Sequence, residues 1–164
     1  MRVLGIDPGS NVMGYAVVEQ VSGKFRPIVW GVVDCRKEKD FPAKLIKIFQ
    51  GVSEVIREYS PDVLSIENVF VSKNVSSALK LGHARGAAIV AAANQGLEVH
   101  EYSPLEIKQS VTGTGRADKD QVNLMVKRLC NIKEEIKPTD ASDAIATAVC
   151  HLCSSKLKAL LAGR

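Results

Sequence analysis

The pattern of hydrophobic and polar positions begins with a short apolar run that ends on a carboxylate. Residues Val3-Leu4-Gly5-Ile6 precede Asp7, and the turn-forming pair Pro8-Gly9 follows at once. A short apolar run bounded by a turn signal is typical of a strand buried on both faces. Asp7 is therefore predicted at the end of a rigid element, where a functional carboxylate is well held, although Asp-Pro-Gly is also an ordinary turn sequence.

Two more strands are predicted next, in antiparallel order. They cover Met13 to Glu19 and Phe25 to Asp34, and a turn at Ser22-Gly23-Lys24 separates them. Pro27 places the start of the third strand at a sheet edge, because proline cannot donate to a ladder on both sides. Two hairpins in succession predict three antiparallel strands, with the first strand inside the set.

The rest of the chain alternates helices with strands. Apolar residues spaced three and four apart after Asp40 predict a capped helix that ends before Pro61. The further predicted elements are a strand over Val63 to Glu67, a helix rich in small residues from about Ser76 to Asn94, a strand over Leu97 to Tyr102, and helices over Pro104 to Ser110, Ala117 to Cys130 and Asp140 to about Leu161. A strand, helix, strand crossover is parallel and right-handed.

The expected fold class is therefore α/β. We predict a mixed five-stranded sheet, with three antiparallel strands plus two parallel ones and helices on both faces. No linker or internal repeat is visible, so residues 1–164 are expected to form a single domain.

Composition narrows the class of protein. Hydrophobic residues make up 46% of the chain and charged residues 24%, which is typical of a globular protein. No apolar run is long enough to span a membrane and no signal peptide is recognisable, so a cytoplasmic location is expected. The net charge of +4 allows a nucleic-acid partner without requiring one. Cys150 and Cys153 lack the second ligand pair of a zinc finger, so the four cysteines are expected to be reduced thiols.

Four acidic residues stand at comparable places. Asp7 and Glu67 each end a predicted buried strand, and Asp140 and Asp143 share one face of a helix. The helical pair is equally compatible with an N-cap and its capping-box partner. If strands one and four are parallel neighbours, however, the two strand-end carboxylates emerge at the same edge of the sheet.

Carboxylates gathered in one place repel each other and raise their own pKa values unless a cation is present. Oxygen ligands without His or Cys favour hard ions, Mg²⁺ or Mn²⁺. Two such ions about 4 Å apart can activate a water and stabilise the leaving oxygen of a phosphodiester. The four acids therefore indicate phosphoryl transfer or nuclease chemistry.

Four motifs, in order along the chain, resemble the RuvC family of Holliday junction resolvases. They are Gly5-Ile6-Asp7-Pro8-Gly9-Ser10, Ile66-Glu67-Asn68-Val69-Phe70, the stretch from Ser77 to Gly86, and Asp140-Ala141-Ser142-Asp143-Ala144. The likeness extends from about residue 2 to residue 155. It implies a ribonuclease H-like fold and an Mg²⁺-dependent homodimer, with two ions per subunit and Mn²⁺ as a substitute. Such a homodimer nicks two opposed strands of a four-way DNA junction symmetrically, leaves 5′-phosphate and 3′-hydroxyl ends, and works with the RuvA–RuvB branch-migration complex.

The resemblance also implies roles for individual residues. The catalytic and metal-binding acids would be Asp7, Glu67, Asp140 and Asp143, although Asp140 stands where some members carry His and is the more replaceable. Lys108 and Lys119 match basic residues near the scissile phosphate, and Phe70 matches an aromatic used at the junction centre. The expected DNA-binding residues are Phe70, Lys73, Lys80, Arg85, Lys108, Arg116 and Lys119. A simpler interpretation remains for these, namely an aromatic folded onto the core and ordinary solvated basic faces.

Other functions stay open at this point. Gly-Ile-Asp-x-Gly also opens sugar kinases and actin-like ATPases, but those proteins need two such domains and a second phosphate loop, for which this chain is too short. A junction-binding protein that does not cleave would keep the same fold, and the presence of all four acids argues against it. A nuclease specific for RNA–DNA hybrids or flaps is separated from a resolvase by the family motifs alone.

Overall fold

The computed structural model describes residues 1–69 and 74–162, except the side chains of residues 156–162. The strands are β1 (Arg2–Asp7), β2 (Val12–Val21), β3 (Lys24–Asp34), β4 (Val63–Glu67) and β5 (Glu98–Tyr102). The helices are α1 (Phe41–Tyr59), α2 (Val75–Ala93), α3 (Pro104–Thr112), α4 (Lys119–Leu129) and α5 (Thr139–Ala162). Every predicted element is confirmed in type, and its ends differ from the prediction by a few residues.

The five strands form one mixed sheet in the order β3-β2-β1-β4-β5. β1 pairs antiparallel with β2 and parallel with β4, and β4 pairs parallel with β5. The predicted neighbourhood of the first and fourth strands is thus confirmed. The prediction that the first strand lies inside the antiparallel set is wrong: β2 is the middle strand of those three, and β1 is the middle strand of the whole sheet.

Local signals account for several element ends. Asp40 accepts a hydrogen bond from the backbone N–H of Ala43 and so caps α1, as predicted. Ser22 and Gly23 both have positive φ, which suits the two-residue turn that joins β2 to β3 with the native strand twist. β3 forms the edge of the sheet, in agreement with the position of Pro27.

Helices cover both faces of the sheet. One cluster of buried side chains joins Leu4 and Ile6 of β1 to α1 and α2, and the other joins Val3 to α3, α4 and α5. Because successive side chains of a strand point to opposite faces, β1 is buried on both sides. Its carboxyl end is consequently the point at which the chain leaves the middle of the core.

α5 lies unusually close to the sheet because two strand residues have no side chain. A Cβ atom added to Gly5 would lie 2.1 Å from the carbonyl oxygen of Ala144, and one added to Gly14 would lie 2.1 Å from that of Asp140. Both distances are far below any real contact, so only glycine allows this packing. The close approach brings the first turns of α5 alongside the ends of β1 and β2.

The buried cysteines behave as inert thiols. Cys35, Cys130 and Cys150 are buried, and burial raises the pKa of Cys130 to about 12 and that of Cys150 to about 11. Such thiols do not ionise near neutral pH and are poor nucleophiles.

Within the described part of the chain, no helix combines the length and apolar character needed to cross a membrane.

Candidate active site

The carboxyl ends of β1 and β4 open into a cavity of about 260 Å³ that also reaches the starts of α3, α4 and α5. Three of the four predicted acids and both predicted catalytic lysines line it. The lining residues are Asp7, Glu67, Pro104, Ile107, Lys108, Lys119, Val122, Asp143 and Ala146. The structure therefore brings together side chains from five separate elements. The charged side chains among them are ones that the sequence predicted to lie at the site.

Asp7 and Glu67 meet because of the register between two parallel strands. Ile6 pairs with Ile66, so the next residues, Asp7 and Glu67, stand at the same level on adjacent strands. The backbones of adjacent strands are about 4.8 Å apart. A side-chain hydrogen bond with Asp7 lowers the pKa of Glu67 and offsets part of the effect of its burial. Two carboxyls this close share a proton more readily than they both ionise.

The environment of this pair opposes ionisation. Burial, followed by the charges of Asp143, Glu67 and Asp140, raises the pKa of Asp7 to about 8, and Lys119 offsets part of that effect. Burial and the neighbouring Asp143 likewise raise the pKa of Glu67. A strongly perturbed carboxyl in a cleft is typical of a functional site.

Asp143 faces the same cavity from the second turn of α5 and is paired with Lys119. The Lys119 ammonium lies 3.1 Å from Asp143 Oδ2, and this contact raises the pKa of Lys119. Since the Lys119 side chain is 77% exposed, the pair is solvent-screened and readily exchanged. Asp140 does not line the cavity; it lies one turn earlier, where its charge still raises the pKa of Asp7.

Two capping boxes hold the lysines in place. Ser103 and Glu106 cap α3 reciprocally, and Lys108 follows on that helix. Asp118 and Gln121 cap α4 in the same way, which places Lys119 at its first residue. The spacing Ser-x-x-Glu is a recognised helix-start signal, so the start of α3 is encoded locally in the sequence.

The cavity also has an apolar wall that sequence reasoning missed. It consists of Pro104, Ile107, Val122 and Ala146. Ile107, Val122 and Ala146 belong to the buried core, and Pro104 is the first residue of α3. No local signal therefore distinguishes them from other core and helix-start residues. Their effect is to limit the water around the carboxyls and to strengthen the electrostatic interactions there.

The remaining predicted DNA-binding residues are spread over the molecule. Lys80 is exposed on α2, and Arg116 is exposed in the segment between α3 and α4. Arg85 lies on α2, but its guanidinium is bonded within the protein to Glu67, Asn68 and Glu101. Phe70 and Lys73 lie outside the described residues.

The carboxylates form a suitable site for a metal without being preassembled as one. Among the side chains that the structure describes, no three of His, Cys, Asp and Glu are already arranged to hold an ion. Asp7 and Glu67 share a hydrogen bond instead, and Asp143 is paired with Lys119. The hydrogen bond and the Lys119 ammonium thus reduce the repulsion between the acids. A hard divalent cation fits the same set of oxygen ligands, since it can replace both.

The raised pKa of Asp7 predicts a specific pH dependence of stability. Between pH 4 and 8 the unfolded chain has released this proton while the folded protein retains it, so the free energy of unfolding falls as pH rises. One such proton gives a slope of at most about 1.4 kcal/mol per pH unit. Thermal unfolding in EDTA should therefore show a melting temperature that decreases from pH 5 to pH 8.

The Asp7→Asn variant is the control for this prediction, because it removes one of the two carboxyls with a raised pKa and should reduce the slope. Glu19 and Glu106, whose pKa values are lowered by Arg26 and Ser103 respectively, give the opposite slope below about pH 4.5. The window from pH 5 to 8 avoids them. Identical slopes for the two proteins would contradict a raised Asp7 pKa.

Comparison with known proteins agrees with this geometry. The family model described as crossover junction endodeoxyribonuclease RuvC matches residues 3–151. A protein of that name from Geobacter sp. (strain M21) is 51% identical over 163 residues, which is 99% of each chain. The structure of Thermus thermophilus RuvC in complex with a Holliday junction substrate superimposes with a TM-score of 0.90 at 33% identity over 96% of each chain.

A more distant structure shares the fold alone. The yeast mitochondrial Holliday junction resolvase Ydc2 matches with a TM-score of 0.71 at 18% identity, covering 96% of this chain and 80% of its own. The mixed sheet with helices on both faces is a ribonuclease H-like fold, as the resemblance of the motifs implied.

Proposed function

Because the chain belongs to the RuvC family of crossover junction endodeoxyribonucleases, we propose that it resolves four-way DNA junctions by nicking two opposed strands. The observation that carries this proposal is the convergence of Asp7, Glu67 and Asp143 in one cavity beside Lys108 and Lys119. Acids alone would repel a phosphodiester, and the two lysines make the approach of DNA favourable. We treat residues 1–164 as a single nuclease domain.

Nucleases of this family are metal-dependent. We assign Mg²⁺, with Mn²⁺ as a substitute and two ions per subunit, because all the available ligands are carboxylate oxygens. Asp7, Glu67 and Asp143 would hold these ions, and Asp140 would contribute from the rim of the cavity. When bound, such ions supply a water activated for in-line attack and stabilise the leaving oxygen.

The protein's own side chains supply the rest of the mechanism. With ions bound, Asp7 would be ionised, its proton having passed to solvent, and the Asp143 carboxylate would no longer be paired with Lys119. The freed Lys119 ammonium is exposed enough to move to the scissile phosphate, and Lys108 approaches it from the other wall. The apolar wall limits the water around the carboxylates. The products carry 5′-phosphate and 3′-hydroxyl ends.

We assign DNA binding to basic groups outside the cavity as well as to Lys108 and Lys119 within it. Arg116 and Lys80, which are exposed, offer phosphate contacts that position the duplex arms. We assign Lys73 to the same role and Phe70 to stacking at the opened junction centre, on the strength of the motifs that contain them.

A homodimer supplies the second active site that paired nicking needs. We place its interface on α2, where Val75, Leu79 and Val90 are exposed apolar residues. Gly82 and Gly86 lie on the same stripe, and a Cβ added to either would have no neighbour within 4 Å. The opposite face of α2, with Ala84 and Ala88, is the one buried against the core. A second helix can approach this open stripe closely.

The RuvA–RuvB complex is the proposed partner, and the cytoplasm is the proposed location.

The decisive experiment compares three substrates at equal concentration: a mobile four-way junction, a linear duplex of the same sequence and an RNA–DNA hybrid. Each is incubated with the protein in Mg²⁺ or in EDTA. We expect paired nicks at symmetric positions in the junction, little cutting of the other two, and none in EDTA. Light scattering or sedimentation on the same samples gives the oligomeric state.

Equal cutting of the three substrates would favour a general nuclease over a resolvase. Junction binding without cutting in either Mg²⁺ or Mn²⁺ would favour a binding protein with an inactive site. Single, unpaired nicks together with a monomeric mass would contradict the proposed homodimer while leaving the nuclease assignment in place.

A further inference from the structure

Arg85 makes two contacts to the segment that carries the proposed metal-binding acid Glu67, and a third to the neighbouring strand. Its Nε donates to the backbone carbonyl of Glu67 at 3.0 Å, and its Nη2 donates to Asn68 Oδ1 at 3.0 Å. The same Nη2 lies 2.8 Å from Glu101 Oε2 on β5. One guanidinium therefore joins α2, the end of β4 and the neighbouring strand β5.

The backbone after Glu67 is held from the other side as well. The N–H of Asn68 donates to the carbonyl oxygen of Tyr102 at 2.8 Å, which extends the β4–β5 ladder by one residue. Beyond this point the chain leaves the sheet. The peptide that carries the Glu67 side chain is thus the last one fixed by the sheet, and Arg85 bonds its carbonyl oxygen directly.

The geometry leaves Arg85 little freedom to serve as a phosphate ligand. Its side chain is 17% exposed, whereas the Lys119 side chain, which faces the cavity, is 77% exposed. Its Nε and Nη2 donors are already directed at a carbonyl, an amide and a carboxylate. A guanidinium presents its donors in a rigid planar fork, so it can bind several acceptors in fixed positions, which a lysine cannot reproduce.

We propose that Arg85 is a positioning residue that fixes Glu67 in the active site through its backbone carbonyl and Asn68, and that it is not a ligand of the DNA. This inference rests on the proposed nuclease function and adds to it the group that aligns one of the metal-binding acids. Misplacing such a ligand by about 1 Å is enough to cost roughly 100-fold in rate.

The test uses Arg85→Ala and Arg85→Lys in the full chain, with Lys80→Ala as the comparison for a phosphate contact. Three quantities are measured: the salt dependence of junction binding in EDTA, the single-turnover cleavage rate at saturating junction, and the Mn²⁺ concentration that half-maximally raises the melting temperature without DNA. For Arg85→Ala we expect an unchanged salt slope, a rate lowered by about 10- to 100-fold, and a half-maximal Mn²⁺ concentration raised by a similar factor.

Arg85→Lys separates the two roles most clearly. Lysine keeps the charge and is itself a good phosphate ligand, so a DNA-binding role predicts near-complete rescue. A positioning role predicts that Arg85→Lys remains defective in rate and in Mn²⁺ response. Lys80→Ala should show the other pattern, with weaker binding and a salt slope smaller by about 1.

Reduced binding with a smaller salt slope and an unchanged Mn²⁺ response in Arg85→Ala would overturn the proposal. If that variant does not fold, Arg85→Lys and Asn68→Ala decide the question by the same three measurements. Failure of the proposed function would be seen in the wild-type protein, which would then not cut junctions. The Mn²⁺ titration needs no DNA, so it tests the positioning role of Arg85 separately.

Discussion

Replacing Asp7 by Asn is expected to lower junction cleavage by roughly 1000-fold or more while leaving junction binding nearly unchanged. The amide is the same size as the carboxyl, so the packing at the end of β1 is kept. It cannot carry the negative charge that a divalent cation needs, however, and Asp7 is the most strongly perturbed acid in the cavity. The measurement is single-turnover cleavage of a mobile junction, with binding measured separately in EDTA.

Asp62→Asn is a matched control for this substitution. Asp62 lies just before β4, at the opposite end of that strand from Glu67. Its Oδ2 accepts a hydrogen bond from the backbone N–H of Arg2 at 2.7 Å. An Asn side chain keeps an acceptor for that bond, so cleavage should be close to wild type. If Asp7→Asn retained more than about a tenth of the wild-type rate, Asp7 would not be a metal ligand. If it lost binding instead, the cavity acids would be acting on DNA affinity.

Gly5→Ala is expected to disrupt the site from within the core. The new Cβ would lie 2.1 Å from the carbonyl oxygen of Ala144 and 2.7 Å from the backbone nitrogen of Ala148. Both are helix backbone atoms that cannot rotate away, so α5 must move off β1 by an ångström or so. Alanine suits a strand better than glycine by about 0.5–1 kcal/mol, but overpacking of this kind costs about 1–3 kcal/mol or more, so the clash dominates.

The displacement of α5 also separates Asp143 from Asp7, so activity should fall further than stability alone explains. We expect a lower melting temperature together with a loss of cleavage on the order of 100-fold at a temperature where the variant is still folded. Gly14→Ala should act similarly, because its Cβ would lie 2.1 Å from the carbonyl oxygen of Asp140. Circular dichroism melting and single-turnover cleavage check both effects.

Gly31→Ala is the matched control for these glycines. Gly31 is on the edge strand β3, and the atom nearest to its added Cβ is the hydroxyl oxygen of Tyr15 at 2.8 Å, at the far end of a side chain that can move. Its effects on melting temperature and cleavage should be small. A Gly5→Ala protein with wild-type stability and cleavage would show that α5 adapts freely, and that the close packing on β1 does not set the active-site geometry.

Much of the architecture could be predicted from local patterns. Alternating and continuous apolar runs marked the five strands, and apolar residues three and four apart marked the helices, because these periodicities are set by backbone geometry. Pro27 correctly marked an edge strand, and the strand-end positions of Asp7 and Glu67 correctly predicted two carboxylates at one edge of the sheet. The order of the antiparallel strands was misjudged, since turn signals specify which strands pair but give no view of the whole sheet.

The roles of the basic residues were harder to predict, and Arg85 shows why. In the sequence it is one member of a basic stretch with Lys80, and both were expected to bind DNA. In the structure Lys80 is exposed, whereas Arg85 turns inward to three acceptors from β4, the following loop and β5. Partner choice of this kind depends on distances between elements far apart in the chain, which no local pattern encodes.

The amino-acid sequence by itself determined the elements, the ends of β1 and β4 at which acids stand, and the family motifs, because each of these depends on neighbours along the chain. The tertiary structure alone decided how the acids meet. The register of β1 on β4 sets Asp7 beside Glu67, and the absence of side chains at Gly5 and Gly14 lets α5 bring Asp143 to them. The tertiary structure also decided the charges at the site. Lys119 pairs with Asp143 because the two lie close in space, and the pKa of Asp7 is raised because burial excludes water from it.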